Sequence, residues 1–230
     1  MNWVNLQYKN NLKKYVKKDG LKALIVYCFI MCSAFFQGWL YTTNATVFIL
    51  NLSQILIPLI LVTAFLCFFC YSKKSIKSVG IHSDNIKSSI VLGFIGGFLL
   101  LAIQTVLFII QGKSVSFTNP SLLNWMIFLF AAFEEEILFR GYIQTRMAGL
   151  INSQLVVSII NSILFLSIHY PVRWVVSGII SIGVLSTVYI VSLLLLHFFC
   201  DVVYKRTNCL WGSILLHVIY NAVGAIILIQ

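Results

Sequence analysis

Residues 125–143 read WMIFLFAAFEEEILFRGYI, a stretch as apolar as a membrane span except for three glutamates and one arginine. Glu134, Glu135 and Glu136 are all the glutamates of the 230-residue chain. A charged side chain at the centre of a bilayer costs about 2.5–3.5 kcal/mol on insertion scales. Three carboxylates in such a segment therefore predict a functional site, and Arg140 is a cation of the same segment.

The rest of the chain has the composition of a membrane protein. It is 60% hydrophobic and only 10% charged, whereas soluble domains carry about 25% charged residues. Apolar runs long enough to cross a bilayer, which takes about 20 residues, recur along the chain. Because no linker rich in proline, glycine or serine divides it, residues 1–230 are predicted to form a single all-α membrane domain.

Seven membrane-spanning helices are predicted, within a range of six to eight. The expected spans lie at about residues 23–41, 46–71, 89–110, 121–146, 151–168, 175–199 and 209–229. Residues 1–20 mix apolar residues with lysines and are interpreted as a basic amphipathic lead on the membrane surface; a flexible basic tail is the alternative. Residues 170–174 are interpreted as an interfacial turn, and residues 201–208 as a polar loop.

The net charge of +10 comes mainly from lysines clustered in short segments. Six lysines precede the first expected span, four lie in the connector 72–88, and Lys205 and Arg206 lie in another polar segment. Such clusters predict a multi-pass protein of the cell membrane with a cytosolic N-terminus. They also attract anionic lipids, so membrane lipids are expected partners and nucleic acid is not.

Three pairs of residues within apolar runs are four positions apart, so the two members of each pair face the same way on a helix. The pairs are Glu136 with Arg140, Phe165 with His169, and His217 with Asn221. The first pair predicts an ion pair that cancels charge in a low-dielectric environment. Adjacent helix positions differ by about 100°, so Glu134 and Glu135 point elsewhere. One of these two is a candidate for an unpaired carboxylate facing a cavity.

The other polar and sulfur-containing residues carry weaker signals. His82 lies in the polar connector and is expected to be solvated, and His197 lies near an expected membrane interface. Cys67 and Cys70 have CxxC spacing, but no second CxxC accompanies them. They are interpreted as small apolar residues of a helix.

Carboxylate, imidazole and carboxamide groups in one membrane cavity suit hydrolysis of a peptide bond by activated water. Burial in a low dielectric favours the protonated form of a carboxyl group and so raises its pKa. A carboxylate whose pKa is closer to neutral is a stronger base and can accept a proton from water near neutral pH. An imidazole or an amide can donate a hydrogen bond to a developing oxyanion, and each donor contributes a factor of about 10²–10³ in rate.

Two other chemistries are less well matched by the sequence. Glutamate and histidine sets hold di-metal centres in helical bundles, but the Glu-x-x-His and HExxH spacings are missing here. No metal and no other cofactor are therefore predicted. A serine or cysteine nucleophile would need a matched base, and nothing in the sequence singles one out.

The three pairs also resemble the motifs of the CAAX prenyl endopeptidase and bacteriocin-processing family, known as CPBP or Abi. Residues 135–140 are similar to its EExxxR motif, 165–169 to its FxxxH motif and 217–221 to its HxxxN motif, in the family order. The resemblance covers about residues 121–226, which are taken as the catalytic core.

The resemblance implies an intramembrane glutamate protease that needs no metal. The site residues that it implies are Glu135, Glu136, Arg140, His169, His217 and Asn221. By position, Glu135 would activate water and His169 would help to position it. The HxxxN pair would form the oxyanion site, and the Glu–Arg pair would support the site. Glu134 has no role in the family pattern.

The expected reaction is cleavage of a small membrane-associated peptide or protein, in a role such as bacteriocin maturation or self-immunity. The composition resembles that of low-GC Gram-positive bacteria, which predicts a bacterial cytoplasmic membrane. A non-catalytic immunity or scaffold protein is the alternative, although all six motif positions are present. A transporter or channel is a third hypothesis. The absence of repeat symmetry in the sequence argues against it.

One position conflicts with a simple count along the helices. Glu135 and His217 are expected at middle depth in their spans, whereas His169 is expected at the end of its span. A tilted helix, a late start of the fifth span, or a turn sunk into the membrane would bring His169 to the same depth.

Overall fold

The structure is a computed structural model that describes residues 4–72, 75–112, 115–117 and 119–229. Its helices are α1 (Leu6–Leu12), α2 (Lys17–Thr42), α3 (Val47–Tyr71), α4 (Ile86–Ile110), α5 (Leu122–Glu135), α6 (Thr145–Met147), α7 (Gln154–Ser167), α8 (Tyr170–Ser177), α9 (Thr187–Thr207) and α10 (Trp211–Ile226). A π-helical segment, Glu136–Gln144, joins α5 to α6. The predicted all-α class is confirmed.

Short elements complete the chain. Single 3₁₀ turns occupy Ile76–Val79 and Ile182–Val184. Two three-residue strands, β1 (Val115–Phe117) and β2 (Ile227–Ile229), pair antiparallel, with Ser116 opposite Leu228.

Within the described residues, five helical segments are long and apolar enough to cross a membrane. They are Lys17–Thr42, Val47–Phe69, Ile86–Leu107, Gln154–Ser177 and Thr187–Thr207. Two further segments, the continuous helix α5–α6 and helix α10, lie close to the positions expected for the fourth and seventh spans. Helix α5–α6 carries the glutamates, and α10 has 16 residues.

The basic segments of the sequence meet at one end of the bundle, which we call the basic end. Here the N-terminal segment, the α3–α4 connector and the α9–α10 junction are hydrogen-bonded to one another. The Asn5 amide donates to the Lys205 carbonyl at 2.9 Å, and the Leu210 amide to that of Gly80 at 3.0 Å. Lys73 and Lys74 of the connector lie outside the described residues.

Helix α1 lies against this end rather than being detached from the bundle. Tyr8 and Leu12 are buried, and the rings of Tyr8 and Tyr204 are edge to face with their centroids 5.4 Å apart. The lead is therefore helical over Leu6–Leu12, with its apolar side on the protein.

The expected interfacial turn at 170–174 is wrong, because these residues form helix α8. Pro171 lacks an amide hydrogen and cannot donate to the carbonyl four residues back, at Ser167, where α7 ends. Proline is accepted in the first turn of a helix, so α8 begins at once and continues the crossing. The predicted start of the sixth span at 175 is consequently also wrong, since α9 begins at Thr187.

The expected polar loop at 201–208 is wrong as well, because α9 continues to Thr207. Asp201 and Lys205 are four residues apart on this helix, and their charged atoms are 2.8 Å apart. Both residues are buried. The pairing of opposite charges on one helix face lets two polar residues remain inside the protein, where sequence polarity alone predicted solvent.

Helices α4 and α10 approach each other through small residues. A Cβ atom on Gly212 would lie 1.9 Å from the Ser89 carbonyl oxygen, and one on Gly93 would lie 2.3 Å from the Gly212 oxygen. The Gly212 amide also donates to Ser89 Oγ at 2.9 Å. Such contacts let membrane helices pack backbone to backbone, and here they fix the start of α10, the helix that carries His217 and Asn221.

Gly212→Ala should therefore destabilise the protein by about 2 kcal/mol or more, since the added methyl overlaps backbone atoms that cannot move independently. The measurement is thermal unfolding in detergent. Gly183→Ala is the matched control, because the nearest atom to a Cβ there is 3.5 Å away. Equal unfolding temperatures for the two variants would contradict the tight α4–α10 contact.

Candidate active site

The glutamate triplet lies where α5 changes to the π-helical segment. Glu135 is the last residue of α5 and Glu136 the first of the wider segment. π-Helical turns are rare and occur frequently at functional sites. In this one, Thr145 Oγ1 and Arg146 Nη1 donate to the Gly141 carbonyl at 2.7 and 2.8 Å. Side chains therefore supply hydrogen bonds to the backbone of the segment.

Glu136 is fully buried and is shared by two partners. Its Oε1 atom lies 2.9 Å from Arg140 Nη1 and 2.9 Å from His217 Nδ1. The ion pair expected from the sequence is thus present, and it includes an imidazole from α10. The Arg140 guanidinium also lies over the Phe165 ring, 4.3 Å from its centroid, which stabilises a cation away from water.

Glu135 faces the other nitrogen of the same imidazole. Its Oε2 atom is 3.7 Å from His217 Nε2, and its side chain is 18% exposed, compared with 0% for Glu136. Among the described residues, Glu135 Oε2 has no hydrogen-bond partner. Of these two adjacent carboxylates, Glu136 is held by an ion pair and Glu135 has an oxygen available to a ligand.

His169 is oriented by the backbone of its own helix. Its Nδ1 atom is 2.9 Å from the Phe165 carbonyl oxygen. A carbonyl can only accept, so Nδ1 carries the hydrogen, and Nε2 of the neutral ring is left as an acceptor. Phe165 of the FxxxH motif therefore has two contacts in the site: its ring lies under Arg140, and its carbonyl fixes the tautomer of His169.

Four of the six predicted site residues line one cavity of about 220 Å³. They are Glu135, His169, His217 and Asn221. The other two, Glu136 and Arg140, are fully buried and reach the cavity through His217. All six side chains are thus brought together, although they come from three separate helical segments.

His169 lies inside a membrane crossing because helix α8 follows α7 almost directly. The residue lies between α7 and α8, within the continuous crossing Gln154–Ser177. Because α8 adds two helical turns beyond it, His169 lies inside its crossing and not at the end. The break between the two helices is at Ile168 and His169, and the turn expected at Tyr170 and Pro171 is replaced by the start of α8.

A second cavity, of about 550 Å³, adjoins the first. Glu135, His169 and Tyr189 line both. Glu134 is buried and lines only the larger cavity, so the triplet does fan out around its helix. We call the smaller one the catalytic cavity and the larger one the outer cavity.

Sequence reasoning missed Tyr189 and expected His197 near a membrane interface. Tyr189 belongs to no motif, and its ring centroid lies 6.2 Å from that of His169. The only signal available was a phenol inside an apolar run, since buried tyrosines usually hydrogen-bond through their hydroxyl. His197 is buried against Phe165, with their ring centroids 5.5 Å apart, and lines neither cavity.

A second polar cluster holds the π-helical segment from behind. Asn161 Nδ2 donates to Gln144 Oε1 at 3.0 Å and to the Phe139 carbonyl at 3.4 Å. The Gln144 amide donates in turn to Asp201, which also accepts from Lys205 and Ser158. These contacts tie α7 and α9 to the segment that carries Glu136 and Arg140.

No group of three or more histidine, cysteine, aspartate or glutamate side chains is placed to hold a metal ion, as far as the described residues go. The metal independence expected from the sequence remains a prediction, tested below.

A helical membrane bundle with carboxylate and imidazole groups around an internal cavity has the general form of an intramembrane hydrolase. Residues 117–223 match a family described as Type II CAAX prenyl endopeptidase Rce1-like. Over this stretch, which contains all six site residues, the chain is similar to that family, in agreement with the resemblance drawn from the three motifs. Searches of curated proteins and of solved structures found no match.

Arg140→Met should destabilise the protein by about 3–5 kcal/mol, because it leaves the Glu136 carboxylate buried without its cation. The double variant Glu136→Gln, Arg140→Met should regain most of this loss, since neither charge remains and His217 keeps an acceptor. Thermal unfolding in detergent checks both. If the double variant is no more stable than the single one, the buried ion pair does not govern stability here.

Proposed function

We propose that the protein is a metal-independent intramembrane endopeptidase in which Glu135 activates water for attack on a peptide bond. The observation that carries this proposal is the convergence of one accessible carboxylate, two imidazoles and one carboxamide on the catalytic cavity. Those are the groups that water-mediated hydrolysis requires.

Glu135 is the proposed base because its neighbours have other contacts. Glu136 is held by Arg140 and His217, and Glu134 lines only the outer cavity. Water bound between Glu135 and His169 Nε2 would lose a proton to the carboxylate as its oxygen attacks the carbonyl carbon. Glu135 would then pass the proton to the departing amine as the C–N bond breaks.

Stabilisation of the oxyanion is assigned to the HxxxN pair, His217 and Asn221. The Asn221 carboxamide carries N–H donors, and His217 donates from Nε2 when it is protonated. The Glu136 carboxylate accepts from Nδ1 of the same ring, so Nε2 is turned towards the catalytic cavity. The arrangement gives the two carboxylates separate roles: Glu136 orients the imidazole of His217 and Glu135 transfers the proton.

The proposed substrate is a small membrane-associated peptide or protein, since the cavities are enclosed by helices with lipid-compatible outer surfaces. Bacteriocin maturation and self-immunity are the proposed biological roles, carried over from the family resemblance. We further propose a bacterial cytoplasmic membrane as the location, with the basic end in the cytosol, on the basis of the lysines gathered there.

Glu135→Gln should lower the cleavage rate of a candidate peptide by a factor of about 10²–10⁴, because the amide cannot accept the proton from water. The measurement is peptide cleavage by purified protein in detergent or liposomes. Glu134→Gln is the matched control, and its kcat should stay close to the wild-type value because Glu134 lies outside the catalytic cavity. A chelator should leave the wild-type rate unchanged.

Two results would count against this proposal. Loss of activity on chelation would point to a metal enzyme. An immunity phenotype that persists fully in the Glu135→Gln variant would favour the non-catalytic scaffold, provided that the variant is expressed at the wild-type level.

The orientation is tested with single cysteines introduced at Lys18 and Ser181, both exposed, in a variant whose native cysteines are replaced by alanine. A membrane-impermeant maleimide should label Ser181→Cys in intact bacteria. It should label Lys18→Cys only after permeabilisation, since the basic end is placed in the cytosol. The reverse pattern would invert the assigned topology.

A further inference from the structure

The outer cavity leads from the catalytic cavity towards the end of the bundle opposite the basic end. Its lining includes Ser33 to Tyr41 of α2 and Gln54 to Pro58 of α3. These residues lie near the end of α2 and the start of α3, whereas the basic end holds the start of α2 and the end of α3. The cavity therefore reaches the side of the bundle away from the lysines.

Most polar side chains on the α2 wall already have partners inside the protein. Ser33 Oγ donates to the Ile30 carbonyl at 2.7 Å, and Gln37 Nε2 donates to Ser53 Oγ at 2.9 Å. Because these groups are bonded to the helices, the wall is chiefly apolar towards a ligand. A volume of about 550 Å³ is within the usual range of ligand sites.

Arg173 is the cation that lines this cavity. No residue in the described part of the chain forms a hydrogen bond or ion pair with it. It lines the same cavity as Tyr41 at the outer wall and Tyr189 beside the catalytic cavity. A cation with this position and no partner is available to an anionic group in the cavity.

The position of Arg173 on its helix sets the distance between its guanidinium and the peptide bond to be cleaved. It follows His169 by four residues, so it lies on the same face, about 6 Å along the helix. An extended peptide advances about 3.3 Å per residue. A group bound by Arg173 would thus lie about two residues from the bond being cleaved.

We propose that the outer cavity holds the substrate peptide and that Arg173 recognises a carboxylate on it, either the free C-terminus or an acidic side chain. This inference rests on the proposed function and adds the substrate class. The guanidinium can donate two parallel hydrogen bonds to a carboxylate, which an ammonium cannot match in geometry. The competing explanation is that Arg173 merely reaches towards lipid headgroups at the membrane surface.

The test compares peptides that the wild-type protein cleaves, prepared in matched forms. One pair differs at the C-terminus, as free acid or amide, and the other by aspartate or asparagine near the cleavage site. The ratio of kcat/KM for the charged form to that for the neutral form should fall about 10- to 100-fold in Arg173→Gln. The pair that shows the fall identifies the source of the carboxylate.

Two further variants sharpen the result. Arg173→Glu should reverse the preference, so that a peptide with lysine at the responsive position is cleaved better than its aspartate form. Lys18→Gln at the basic end is the control for loss of one positive charge, and it should leave the ratio at the wild-type value.

The two proposals fail in different ways. Cleavage that survives Glu135→Gln would overturn the proposed function. Cleavage that depends on Glu135, with a charged-to-neutral ratio unaffected by Arg173→Gln and Arg173→Glu, would overturn only the assignment of Arg173 and leave it as a residue that contacts lipid headgroups.

Discussion

The buried contact of Glu136 with Arg140 and His217 is the interaction on which the site depends. A carboxylate with no exposure to solvent needs both partners. By holding Nδ1 of the imidazole, Glu136 turns Nε2 towards Glu135 and the catalytic cavity. The same contact joins the π-helical segment to α10. The ion pair that stabilises the buried Glu136 carboxylate therefore also orients the groups of the proposed reaction.

Polar residues are stabilised inside this apolar chain by being grouped. Asp201 and Lys205 neutralise each other on α9, and Gln144 and Asn161 connect that pair to the π-helical segment. Each buried group thereby gains the partners that lipid could not provide. The polar residues that support the π-helical segment and the polar residues that line the catalytic cavity are therefore connected through that segment.

The sequence was most informative where the spacing was local. Pairs four residues apart correctly placed Glu136 against Arg140 and put His217 on the same helix face as Asn221, because helical geometry alone fixes such relations. Prediction from the sequence failed where contacts with residues distant in the chain determine the local structure. The polar residues after Cys200 resembled a loop, but Asp201 is held in a helix by Lys205, Ser158 and Gln144. Likewise, a proline was interpreted as a turn at the surface, whereas the chain continues as a helix.

Composition and spacing by themselves determined an all-helical membrane protein with a carboxylate-containing site in its C-terminal half. Only the tertiary structure decided that Glu135 shares a cavity with His217 and Asn221 while Glu134 faces the outer cavity, and that Arg173 and Tyr189 line that space as well. The reason is physical: a helix fixes the angle between successive side chains, but the neighbouring helices decide what each side chain faces.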